Sequence, residues 1–134
     1  HKITVGPDGT TERGPDSNKD PGFSRRIAEI NLVCPTSLVV MDGTRAFVAG
    51  GPAKGDMVEP GVIIASRDRI ANDAVGLALL KTLGTEDRIQ NHSVWEQTQI
   101  KRSIELGVGV AGPDQIALQA DGIPELDQIQ ANVA

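Results

Sequence analysis

"GVIIASRDRIANDAVGLALLKTLG", residues 61–84, decides the fold class. Gly61 to Ser66 is an apolar, β-branched run of strand length, bounded by turn residues. Asp68 is a good helix N-cap, the Ala- and Leu-rich run after it favours helix, and Gly84 is a good stop. The stretch therefore predicts a strand, a short loop and a helix.

Outward from there, strand and helix patterns interleave. Residues 21–33 read as a helix, with Asp20 as cap, Pro21 in the first turn, a stripe of Ile27, Ile30 and Val33, and Pro35 as the stop. "SLVVM" (37–41) reads as a buried strand, Asp42-Gly43 as a hairpin turn, and "TRAFVA" (44–49) as the returning strand. "SVWE" (93–96) is a capping box before a helix that ends near Gly107. "QIALQA" (115–120) reads as a strand, Asp121-Gly122 as a turn, and Pro124 as the opening of a terminal helix. The expectation is an α/β domain, a layered mixed sheet with flanking helices, over residues 23–134. Ahead of it, "KITVGPDGTTER" (2–13) reads as a β-hairpin arm, joined by the Gly/Pro/Asp-rich linker "GPDSNKDPG" (14–22).

Composition narrows the function. The 134 residues carry a net charge of −5 and only 2% aromatics, with no Tyr. Neither a basic patch nor a stacking platform is visible, so nucleic acid is not an expected partner. No run approaches the length of a membrane span and no signal peptide is present, so the expected location is the cytoplasm. Cys34 is the single cysteine, which rules out an iron–sulfur cluster or an internal disulfide within this chain; its apolar neighbours predict a small buried hydrophobe. His92, in a loop, reads as a surface residue, and Trp95 as core or an interface anchor.

Two glycine motifs resemble nucleotide cradles. Gly50 to Gly55 has P-loop spacing, but Asp56-Met57 stands where Lys-Ser/Thr must be, and Pro60 blocks the required helix. "GVGVAG" (107–112) matches the dinucleotide fingerprint by letter, yet it follows a helix and leads into Pro113. Both are rejected as nucleotide cradles. The first remains a flexible loop able to approach a ligand, or else a tight connection between strands.

The carboxylates give the candidate site. On a helical wheel Arg69, Asn72, Asp73 and Gly76 share one side, which Leu80 and Leu83 continue. A side that is polar first and apolar later fits the rim of a cleft; acids favoured by the helix dipole in a solvated first half fit equally. Ser66 and Asp68 lie at a strand's carboxyl end, where ligands of open α/β sheets sit, beside a helix N-terminus. If the glycine loop folds over this end, Gly51, Lys54, Gly55 and Asp56 join Asp42, Ser66, Asp68 and Asp73 in one ligand site. A divalent cation held by Asp68 and Asp73 and a small anion held by backbone amides and Lys54 are both compatible with these groups.

"LVVMDGTRAFVAGGPAKGD", then the 61–84 stretch, then "SIELGVGVAGPDQIAL" resembles, in that order, an uncharacterised family known as domain of unknown function 362. The resemblance covers residues 23–122 and leaves the N-terminal hairpin outside. Asp42, Gly51, Pro52, Gly55, Asp68, Ala71 and Asp73 stand at its patterned positions; Arg69 departs from the usual Pro, and Asn72 from a small apolar residue. The resemblance implies a chain similar to the C-terminal half of longer proteins. A small anionic molecule, a missing N-terminal half and a second copy of the chain are the expected partners. Many members are associated with iron–sulfur clusters through separate cysteine motifs, which this chain lacks, so a redox-partner module is implied by analogy alone. A non-catalytic scaffold, whose glycines and acids are turns and caps, is the alternative to a ligand site.

Overall fold

The computed structural model describes residues 21–51 and 54–134. The predicted arm and linker therefore lie outside the described residues, apart from Pro21 and Gly22. The elements are α1 (Pro21–Ile30), β1 (Val39–Gly43), β2 (Ala46–Gly50), β3 (Gly55–Val58), β4 (Val62–Ser66), α2 (Arg69–Leu83), α3 (Asp87–Gln90), α4 (Thr98–Glu105) and α5 (Leu126–Val133). The architecture is mixed α/β, with helices around two small antiparallel sheets of two strands each, β1 with β4 and β2 with β3.

The two sheets form one interrupted ribbon. Val39 lies opposite Ser66 and Gly43 opposite Val62; beyond a break at Thr44-Arg45, Ala46 lies opposite Val58 and Gly50 opposite Gly55. The break coincides with Pro60, which has no N–H for a ladder, and with Gly61 at φ 68°. This corrects the expected hairpin at Asp42-Gly43. Both residues sit inside a strand, paired with Ile63 and Val62, so neither can be the centre of a turn. The ribbon turns instead at Gly50 and Gly51, whose φ of 71° and 72° a side chain would resist. The Gly51 N–H donates to the Lys54 carbonyl at 2.7 Å and closes the turn.

α2 is the axis on which the rest packs. Asp68 caps it, accepting from the N–H groups of Ile70 (2.9 Å) and Ala71 (2.8 Å), and Gly84 ends it at φ 78°. Ile70, Ala74, Val75, Ala78 and Leu79 are buried. They meet Val94 and Ile100 from the capping-box segment and α4, and Ile129 and Val133 from α5, in one core. One face of the β1–β4 ribbon lies against α2, with Met41 close to Gly76; the outer face leaves Val40 and Ile63 exposed. The capping box is present, Ser93 accepting from Trp95 N–H while Glu96 accepts from Ser93 N–H, but it closes a 3-10 turn at Val94–Glu96, and α4 begins separately after Gln97. Trp95 Nε1 donates to the Val133 carbonyl at 2.7 Å, which ties α5 to this corner.

Three local expectations change. "QIALQA" joins no ladder; Ile116 and Leu118 pack on the core from irregular backbone, where one-sided burial replaces a strand partner. The helix expected over 21–33 ends at Ile30, and of its stripe Ile30 is 50% and Val33 79% exposed, with Ala28 the buried residue. Cys34 is exposed rather than buried, because the chain has already left α1 through turns at 31–33.

Candidate functional site

Four of the eight predicted site residues sit at the far tip of the ribbon. Gly51, Lys54, Gly55 and Asp56 belong to the β2–β3 turn, and all but Gly51 are exposed. The tip is fastened to the α2–α3 connection. Gly50 N–H donates to Glu86 Oε1 at 2.9 Å, Thr85 Oγ1 to the Val48 carbonyl at 2.7 Å, and Glu86 N–H to the same carbonyl at 3.2 Å. The Gly50 bond first, and then Arg88, hold the Glu86 carboxyl below its usual range. Gly55 is confined by its own turn, since a Cβ there would meet the Ala49 carbonyl oxygen.

Ser66 and Asp68 work within the backbone. Ser66 Oγ accepts from Asp68 N–H at 3.0 Å, and Asp68 Oδ1 takes the two cap bonds of α2. The second glycine of "GVGVAG" explains itself here. Gly109 has φ 76°, and a Cβ on it would lie 2.7 Å from Asp68 Oδ1. That glycine lets the loop after α4 pass close to the α2 cap.

Asp42 and Asp73 are the two predicted residues brought to one cavity. It has a volume of about 790 Å³, with walls from β1, β2, α2, α3 and the start of α4. Met41, Phe47, Ile64, Leu80 and Ile100 supply apolar lining; Arg45, Arg88, His92 and Gln99 supply polar groups. Asp42 is already engaged. Its Oδ1 accepts from the Thr44 N–H (2.9 Å) and hydroxyl (2.7 Å), which hold its carboxyl below the ordinary range, with Arg45 adding to the effect. Arg88 is paired with Glu86. Arg45 carries no ion pair among the described residues.

Asp73 differs from every other acid here. Burial pushes its carboxyl pKa up, and a long bond from Gln99 Nε2 (3.4 Å) only partly offsets this. A second cavity of about 580 Å³ lies on its other side, between α1 and β1, and Asp73 and Gln99 line both. Arg69 lines the second, but its guanidinium is spent on the Asn31 carbonyl (3.0 Å), Asn31 Oδ1 (2.6 Å) and the Cys34 carbonyl (2.7 Å). Asn72, one residue before Asp73, is fully buried, and neither its Oδ1 nor its Nδ2 has a hydrogen-bond partner.

Sequence reasoning missed Arg45, His92 and Gln99 as cavity residues. Arg45 and His92 had no local signal, because a bend and a loop are ordinary places for polar side chains. Gln99 sits with Asp73 only through the packing of α4 beside α2. Among the described residues, no three His, Cys, Asp or Glu side chains come together in a way that would hold a metal ion. None of the described helices is long and apolar enough to cross a membrane.

The family model described as domain of unknown function (DUF362) matches residues 5–78, just over half of the 134-residue chain. The chain belongs to that family. The match begins at residue 5, so it takes in the N-terminal segment that the sequence reading placed outside, and it ends within α2. No curated protein matches the chain, and no solved structure does.

Proposed function

We propose that this domain binds a small organic acid in the cavity between the ribbon and α2. The observation that carries the reading is the lining itself: an apolar floor beside Arg45, which makes no ion pair among the described residues and whose neighbouring carboxylate, Asp42, accepts from Thr44, in a cavity of about 790 Å³. Pockets of that size with a few polar groups are the usual form of a small-molecule site. The anion expected at the glycine turn is thus proposed instead at the break in the middle of the ribbon. A divalent cation draws less support, because Asp68 is committed to its cap and Asp42 to Thr44. Calorimetry with short carboxylates and organic phosphates tests the reading. Arg45→Ala should weaken the best of them about tenfold, the worth of one charge-assisted contact. No binding by any of them up to about 10 mM, an affinity of only a few kcal/mol, would overturn it.

A second reading, an interaction module, has its own observation. Val40 and Ile63 on the outer ribbon face are 59% and 62% exposed, and Leu38 beside them 59%. The occupant argued for is a second copy of the chain, since an apolar face of this kind can pack on itself about a twofold axis. Light scattering should give a dimer mass that Ile63→Lys reduces to a monomer; a monomer of the unaltered chain at every concentration argues against it.

A further inference from the structure

We propose that the ligand of this cavity is a zwitterion, a small acid that also carries an ammonium group, and that Asp73 receives the ammonium. The inference rests on the small-acid reading above and adds the second charge. Asp73 faces the cavity as a half-buried carboxylate, and among the described residues it accepts one side-chain hydrogen bond, the 3.4 Å contact from Gln99. Apart from Arg45 on the same lining, the neighbouring arginines and lysine are engaged elsewhere. Arg69 is held by the Asn31 and Cys34 carbonyls, Arg88 by Glu86, and Lys81 by the His92 carbonyl at 2.7 Å. Arg102, on α4, pairs with Glu29 and Glu105.

A carboxylate withdrawn from water without a cation is costly, and a ligand ammonium removes that cost while making a charge-assisted bond. Arg45 offers the complementary charge on the same lining. The cavity therefore displays a half-buried acid without an ion pair and a base without an ion pair over an apolar floor. A neutral ligand would leave both unmet, and a simple acid would leave Asp73 unmet.

Proton linkage supplies a second readout. Burial holds the Asp73 proton more tightly than usual in the free protein. An ammonium ligand favours the ionised form of this carboxyl, so the preference for it over the deaminated acid should fall as pH is lowered. Asp42, Arg45, Arg88, His92 and Glu96 line the same cavity, so the pH series is run on Asp73→Asn as well, where the dependence due to Asp73 should be lost.

The experiment is calorimetry on the full chain with matched pairs, 4-aminobutyrate against butyrate and β-alanine against propionate. The amino acid of a pair should bind at least tenfold more tightly at neutral pH, and Asp73→Asn should bring the ratio near one. Equal binding within both pairs, or a preference that survives Asp73→Asn, overturns the zwitterion and leaves the small-acid reading standing. No binding by any of the four, with other organic acids still bound, also overturns it; no binding by any acid removes both readings. Should Asp73→Asn not fold, the pH series on the unaltered chain decides, and a ratio that does not fall on acidification overturns the proposal.

Discussion

Gln99 Nε2 lies 3.4 Å from Asp73 Oδ2, and these two side chains form the wall common to both cavities. The contact joins α4 to α2 at the one point where a desolvated carboxylate faces open space. It is too long to satisfy the acid, which gives the cavity its chemical character.

That acid sets a pH dependence. Its folded pKa is raised, so the folded chain binds the proton more tightly than the unfolded chain does. The contribution of Asp73 is therefore most favourable below the unfolded value and is lost as pH rises through the folded one. Asp73→Asn should be more stable than the unaltered chain at neutral pH, with the gap closing towards about pH 4, near the ordinary carboxylate value. Thermal melts at several pH values, without ligand, check this; a gap that widens on acidification contradicts it.

The cap of α2 is a structural role open to direct measurement. Asp68→Ala removes the acceptor of the Ile70 and Ala71 N–H groups and should cost about 1–2 kcal/mol. Asp68→Asn should retain most of that stability, because an amide oxygen can cap. Urea denaturation distinguishes them, and a neutral Asp68→Ala would return Asp68 to the list of ligand residues.

Two glycines after α4 offer a matched comparison. Gly107 and Gly109 both have positive φ, 70° and 76°, but only Gly109 is crowded, with Asp68 Oδ1 and Ile70 Cγ1 each 2.7 Å from where a Cβ would lie. Gly107→Ala should cost about 1–2 kcal/mol for the backbone alone. Gly109→Ala should cost clearly more, because it also pushes on the cap. Equal losses in denaturation midpoint would mean that the loop does not rest on Asp68.

Asn72 is fully buried with neither polar atom paired. Asn72→Leu, the same branched shape with bulkier methyls in place of the amide atoms, should stabilise the domain by up to about 1–3 kcal/mol, the cost of an unpaired buried amide. A lower melting temperature for this variant would show that the amide has a role that offsets its burial.

The strand, loop and helix of residues 61–84 were legible because every signal was local. The Asp68 cap, the Ala/Leu run and Gly84 each act within a few residues of themselves, and the structure has them where the letters put them. The capping box at Ser93 was legible for the same reason. The pairing of strands was not. Asp42-Gly43 has the composition of a hairpin turn, yet Gly43 pairs with Val62, and the chain runs on to turn at Gly50-Gly51. Both dipeptides accept a turn, and only the matching of apolar faces along the whole ribbon selects between them.

The candidate site divides in the same way. From the sequence alone, Asp73 stands out as an acid on a helix side that turns apolar further on, and Asp68 as a cap. Sequence spacing cannot say that the glycine turn lies a strand's length along the ribbon from Asp42, or that Gln99 and Arg45 share a cavity with Asp73. Those are distances between elements. They are fixed by how α4 and β1 pack against α2, because burial of apolar surface is non-directional and leaves no mark at any single position in the chain.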